Sequence, residues 1–231
     1  MALERPTVIL IGGNRGAGKN TFADTLCTPV GEKTDFRFDI FCISSMIGST
    51  FSFPRSSHYV QLSFAQSLKK HVASLVGIPF ETVEALKDQP MTPTMLENYS
   101  SSWFQPPESS TPTLRDALID TAAKALVHNP TFYASTVYEQ EIASSKSSPV
   151  FLITDWRYKA EYYYFKTLEQ QGRIKLHTCR VINKNAKSID VPSERNLDGH
   201  FPQYLVQPSQ QSVSTIILYC GAAYHLFHLT G

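Results

Sequence analysis

The sequence lacks a surplus of charge of either sign. Its 21 Lys and Arg are set against 20 Asp and Glu, a formal net charge of +1. Binding to nucleic acid or to an anionic membrane by bulk electrostatics is therefore not expected, and any anion site must be local. It also lacks paired cysteines. Cys27, Cys42, Cys179 and Cys220 lie far apart with no C-x-x-C, which excludes a disulfide framework or a zinc knuckle and suits thiols in a reducing compartment. No charged-then-apolar targeting pattern opens the chain in MALERPT, and no internal repeat or low-complexity array is visible. The longest apolar run, 213–229 (VSTIILYCGAAYHLFHL), contains Ser, Thr, Tyr and two His. It falls short of a membrane span and reads as a core-facing C-terminal helix.

What is present is an alternation of strand and helix patterns. Thr7–Gly12 (TVILIG) and Pro149–Thr154 (PVFLIT) are short β-branched apolar runs of the kind that form buried parallel strands. His58–Ser63 and Ile174–Ile182 are further strand candidates. Helical spacing marks Lys19–Cys27, Gln66–Val76, Phe80–Lys87, Thr113–His128, Pro130–Ala143 and Tyr158–Gln171, the last stopped by Gly172. Residues 28–58 resist assignment. Met91–Pro112, rich in Ser and Pro, reads as a long loop or flap. The alternation predicts an α/β fold with a parallel sheet in three layers.

After the first strand comes Gly13-Asn14-Arg15-Gly16-Ala17-Gly18-Lys19-Asn20-Thr21. This fits the phosphate-binding pattern G-x-x-x-x-G-K in its required setting, apolar strand before and helix after. The pattern has a physical basis. Several backbone N–H groups must converge on a phosphate, so glycines remove side chains and permit positive φ. The helix beginning at Lys19 adds its partial positive charge, and Lys19 would reach the β- and γ-phosphates. Arg15 has two readings, a phosphate contact or a solvated residue at the rim. Asn20 stands where Ser or Thr usually ligates Mg²⁺. Its amide oxygen is a weak ligand, or orients a metal-bound water, and Thr21 points roughly 100° further round the helix. Spacing does not decide which of the two serves the metal.

The second cluster, Thr154-Asp155-Trp156-Arg157, places an acid at the end of an apolar strand, where ligand crevices of parallel sheets lie. Asp155 would hold Mg²⁺ or accept a proton, and Arg157 would fork onto a phosphate. The alternative is that Asp155 caps the next helix and pairs with Arg157. His225 and His228 have no carboxylate or Cys beside them and are not read as metal ligands. Trp103 and Phe104 would stack on a base or anchor their loop, the latter preferred. The run Tyr162–Phe165 includes core rings. Lys69 and Lys70, read alone, are solvated.

Five islands in order give the chain a resemblance. Gly18-Lys19-Asn20-Thr21, Ser63-Phe64-Ala65-Gln66-Ser67-Leu68-Lys69, Thr113-Leu114-Arg115, Asp155-Trp156-Arg157 with Glu161, and Ser193-Glu194 with Leu197-Asp198 resemble the deoxynucleoside monophosphate kinases of phages and large DNA viruses. More distantly the chain resembles animal phosphomevalonate kinase. The resemblance implies one P-loop kinase domain over 1–231, with a helical substrate-binding region at about 64–145 and a lid at about 180–198. It implies ATP and Mg²⁺ as cofactors and a (deoxy)nucleoside monophosphate as acceptor, without nucleic-acid or membrane partners. A cytoplasmic monomer or homodimer is expected, in the host cytoplasm if the source is a virus.

By the same carry-over Lys19, Arg15, Asp155 and Arg157 are catalytic. Residues 13–21 bind ATP, Asn20, Thr21 and Asp155 serve the metal, and Lys69, Arg115, Asp155, Arg157 and Arg180 meet the substrate. The chain departs from the family in four places. Asn20 replaces Asp, Tyr158-Lys159-Ala160 replaces Phe-Pro-Asn, and the lid has only Arg180 and Arg195 with Lys184 and Lys187. Phe201–Gln207 (FPQYLVQ) lacks the usual Asp. Two further readings stand beside this one, a small-molecule kinase of the phosphomevalonate type and a nucleotide-binding protein that has lost catalysis.

Overall fold

A strand that is apolar at every position must be covered on both faces, and β1 (Thr7–Gly12) meets that demand: Val8 to Ile11 are fully buried. The structure is a computed structural model that describes residues 5–28, 38–42, 58–100, 111–145, 149–183, 197 and 202–208. By its internal contacts the chain forms two compact units. The described residues up to Leu62 and from Ser145 onward make a sheet unit, and Ser63–Ser144 make a helical unit.

In the sheet unit β1 is followed by α1 (Lys19–Cys27), β2 (Phe38–Cys42), β3 (Tyr59–Leu62), β4 (Val150–Ile153), α7 (Lys159–Gln170), β5 (Lys175–Val181) and β6 (Tyr204–Pro208). The strand order is β2-β6-β5-β1-β4-β3. Five strands run parallel, and β2 joins the β6 edge antiparallel. Side chains alternate along β1. Ile9 and Ile11 pack with Phe22 and Ala23 of α1, Leu152 of β4, Val181 of β5 and Val206 of β6. Val8 and Leu10 are buried on the opposite face. A sheet buried on both sides is what a three-layer α/β fold requires. Each of these large side chains contributes about 1.5–3 kcal/mol through burial, so the centre of the sheet is a rigid support for whatever its strand ends carry.

The helical unit contains α2 (Phe64–Val76), a single 3₁₀ turn running into α3 (Val83–Leu86), α4 (Pro93–Ser100), α5 (Leu114–His128) and α6 (Phe132–Val137). A π turn, Tyr138–Ile142, continues α6 and closes with Ala143 N–H donating to the Tyr138 carbonyl at 2.8 Å. Val72, Ala73, Val76, Val83, Met91, Met95, Leu114 and Ala117 form its core. The helix ends are written in local chemistry. Ser63 caps α2, accepting from the Gln66 N–H, and Thr113 and Asp116 form a reciprocal capping box on α5.

Two sequence expectations need correction. Met91–Pro112 is not a loop throughout, because α4 occupies 93–100. Thr92 Oγ1 accepts from the Met95 N–H at 3.3 Å, and Pro93 fills a first-turn position where its missing N–H costs nothing. Met91, Met95 and Tyr99, four residues apart, are all buried. A Ser/Pro-rich composition hid a short amphipathic helix. The unassigned segment 28–58 contributes the edge strand β2. The helix expected over 213–229, the cationic part of the lid beyond residue 183, and Trp103 and Phe104 lie outside the described residues. Among the described residues no helix is long and apolar enough to cross a membrane.

Candidate phosphate site and acceptor-side cations

The candidate site in the sheet unit grows from the C-terminal ends of three neighbouring strands. β1 pairs with β4 through Leu10 and Ile153, and with β5 through Gly12 and Arg180. The loop 13–18, Asp155 with Arg157, and Arg180 therefore share one edge of the sheet.

The loop's glycines carry its shape. Gly13, Gly16 and Gly18 adopt φ of +142°, +77° and +94°, a region L side chains rarely enter. At Gly13 a Cβ would also stand 2.5 Å from the Val181 carbonyl oxygen on β5. At Gly16 and Gly18 it would meet nothing within 4 Å, so those two positions border open space. Ala17, by contrast, is buried in the sheet core and anchors the loop. The Ala17 N–H donates to the Asn14 carbonyl at 3.1 Å, closing the turn. Gly18 is the N-cap of α1 and supplies no side-chain cap, and the first turn of α1 contains no acid. Its leading N–H groups have no partner within the helix.

Lys19 arches back over this loop. Its Nζ donates to the carbonyl oxygens of Gly13 at 2.6 Å and Asn14 at 3.0 Å. The ammonium is thus held above the turn by two backbone carbonyls. Arg15 and Asn20 are exposed, while Lys19 and Thr21 are half-buried.

Asp155 follows β4 and is half-buried, and Arg157 is exposed. The turn that presents them is fixed by Glu161, a residue the sequence marked only as the end of an island. Glu161 Oε2 accepts from the Arg157 N–H at 3.0 Å and the Tyr158 N–H at 2.9 Å. The N-cap of α7 is Tyr158, and Glu161 stands three residues on, in its capping box. Burial pushes the Glu161 carboxyl up to about 8, against the opposing pull of those two N–H groups. Between Asp155 and Arg157 sits Trp156, buried and donating from Nε1 to the Tyr158 carbonyl at 3.1 Å. A Cβ at Gly12 would lie 3.2 Å from the Trp156 ring and 3.1 Å from Leu197. Leu197, the described residue of the last island, is thereby placed against Gly12, where the loop 13–18 begins.

Lys69 and Arg115 lie in the helical unit, where one ion-pair cluster gathers them. Lys69 Nζ meets Glu84 Oε2 at 2.6 Å, and Arg115 Nε meets Asp88 Oδ1 at 2.6 Å. Lys87 pairs with Glu84 as well, and its carbonyl accepts the Arg115 N–H at 2.7 Å. Hydrogen bonds from Lys69 and Lys87 pull the Glu84 carboxyl down to about 2, and Arg115 holds Asp88 below the usual carboxylate range. Sequence reasoning missed Glu84, Lys87 and Asp88. The only available signal was the charge pattern of Glu84, Lys87 and Asp88 at the end of the helix expected over Phe80–Lys87.

Among the described residues no group of three or more His, Cys, Asp or Glu side chains could hold a metal ion alone. A magnesium ion that travels with nucleotide phosphates needs no such cage, since it takes only one or two protein ligands and keeps several waters. Asp155, Asn20 and Thr21 offer hard oxygen donors of that kind. No protein-family model matches the chain, and no curated protein matches it.

Proposed function

We propose that this chain binds ATP on the loop Gly13–Thr21 and transfers its terminal phosphoryl group to a (deoxy)nucleoside monophosphate, with Mg²⁺. The observation that carries the reading is the loop itself: three positive-φ glycines, an open cradle at Gly16 and Gly18, an uncapped helix start and Lys19 poised over the turn. These features fit a triphosphate, which demands converging N–H donors and a cation.

The loop and the first turn of α1 would hold the β- and γ-phosphates and fix their orientation. Lys19 would leave the Gly13 and Asn14 carbonyls for the phosphate oxygens, and Arg15 and Arg180 would add positive charge at the strand ends. Asn20, Thr21 and Asp155 would hold Mg²⁺, which when bound neutralises charge on the transferring group. Arg157 in the sheet unit is a candidate for the acceptor phosphate, and so, by the resemblance, are Lys69 and Arg115 of the helical unit. That role requires Lys69 and Arg115 to be released from Glu84 and Asp88, an exchange with a small cost because the pairs are exposed.

A coupled assay of ADP release across the nucleoside and deoxynucleoside monophosphates tests the reading. Turnover with at least one of them is expected, and its absence with all of them refutes it. Two other readings are resolved by the same experiment. Transfer only to a small aliphatic phosphate would favour a kinase of the phosphomevalonate type. Asn20 at the metal position motivates a binding protein without transfer, which would bind ATP and release no ADP.

A further inference from the structure

A cavity is formed by residues of the helical unit, and nothing in the proposed transfer uses it. It has a volume of about 390 Å³ and opens among α2, α4, α5 and α6. That size falls within the range of small-molecule sites. An apolar cavity of about 150 Å³ stays dry and takes up benzene, so this one has room for a two-ring molecule. Its walls include Leu75, Ala125 and the rings of Tyr99 and Phe132.

The polar groups around it are largely committed to one another. Tyr99 Oη bonds to Thr121 Oγ1 at 2.6 Å, to the Ala117 carbonyl at 2.9 Å and to Asp120 at 3.2 Å. Lys124 and Asp120 pair at 2.7 Å. A charged guest would enter without a counter-charge of its own, at the cost of its hydration. Asn129 engages only its Oδ1, with Thr131, and His71 is left with one ring nitrogen open. Its Nδ1 is hydrogen-bonded to Tyr133 Oη at 3.3 Å, and among the described residues nothing pairs with Nε2. Burial lowers the tendency of this ring to protonate, so at neutral pH it offers one polar atom and no charge. Nε2 is a donor in one tautomer and an acceptor in the other. A hydroxyl group satisfies both.

We propose that this cavity binds a small uncharged aromatic molecule of one or two rings bearing a hydroxyl group, which hydrogen-bonds to His71 Nε2 while its rings pack on Phe132, Leu75 and Ala125. None of its lining residues belongs to the loop 13–21, and the proposal is independent of the kinase reading.

The probe is 2-naphthol, titrated into the full chain by calorimetry. A Kd of about 10–100 μM is expected for a ligand of this size, and naphthalene, lacking the hydroxyl, binds about tenfold more weakly. Ala125→Phe fills the cavity and abolishes binding of both. His71→Phe retains naphthalene and erases the preference for 2-naphthol, an arm that decides the matter should Ala125→Phe fail to fold. Lys19→Ala leaves the titration unchanged. The proposal is overturned by an absence of 2-naphthol binding up to about 1 mM. Undiminished binding to a folded Ala125→Phe, an unchanged preference in His71→Phe, or loss of binding in Lys19→Ala overturns it equally.

Discussion

Glu161 of the sheet unit and Glu84 of the helical unit are the same side chain in opposite surroundings. Glu161 is buried, accepts two backbone N–H groups and has its carboxyl pushed up to about 8. Glu84 is exposed, lies between two lysines and has its carboxyl pulled down to about 2. The difference shows how two candidate regions, one in each unit, are made. The loop 13–18 at the strand ends of the sheet is built from backbone and held by burial, so it is rigid and intolerant of change. The cation cluster of the helical unit is built from exposed side chains, so it is held weakly and exchanges partners at little cost.

The largest effect should follow from breaking the rigid region. Lys19→Ala should reduce phosphoryl transfer by at least about a hundredfold, the scale on which loss of one preorganised charge-stabilising group acts, with little change in melting temperature. Gly13→Ala should be destabilising by about 2–4 kcal/mol, read by denaturant unfolding. Its Cβ would combine positive φ with a backbone clash at Val181.

Glu161 gives a pH signature. Its folded pKa lies above its unfolded value of 4.5. As pH rises from about 4.5 the unfolded chain releases this proton while the folded chain keeps it, so the residue lowers stability progressively until pH passes about 8. Glu161→Gln retains an acceptor oxygen and removes the titration. Melting temperatures of the variant should therefore gain on the wild type as pH rises from 5 to about 8, and a constant difference would exclude the buried carboxyl as the cause.

The smallest effect belongs to the exposed region. Glu84→Gln should alter stability by under about 1 kcal/mol. The wild-type contribution is present above the unfolded pKa of 4.5 and is lost as pH falls toward about 2, and added salt should weaken it. A loss of several kcal/mol would mean the cluster is structural and would undo the contrast with Glu161.

The sequence was most legible where one strand or helix states its own reason. Thr7–Gly12 is apolar from Val8 to Ile11 and ends in glycines, and it is β1. Lys19–Cys27 is α1, and Val150–Ile153 lies within the strand expected at 149–154. The loop glycines announced their backbone requirement directly. What stayed hidden depended on distant partners. The strand β2 exists through antiparallel pairing with β6 near the other end of the described chain. The helix α4 depends on burial of Met95 and Tyr99 against the core of the helical unit. Glu161 was visible as a residue, but its burial was not. Lys69 and Arg115 were visible as cations, yet their carboxylates stand 15 and 27 residues away. Leu197 was one letter of an island, and only the packing at Gly12 gives it a place.

The metal question belongs to the sheet unit. Asn20→Asp would add a negative charge beside the phosphate loop. If Asn20 belongs to the metal's surroundings, the variant should shift the Mg²⁺ dependence of turnover, and an unchanged titration would leave the role to Thr21 and Asp155.

The central claim is that the loop 13–21 is a nucleotide site, and calorimetric titration of the full chain with ATP and Mg²⁺ tests it most directly. Saturable one-to-one binding to the wild type that disappears in a folded Lys19→Ala is the predicted result. No binding to the wild type, or equal binding to both, would contradict it.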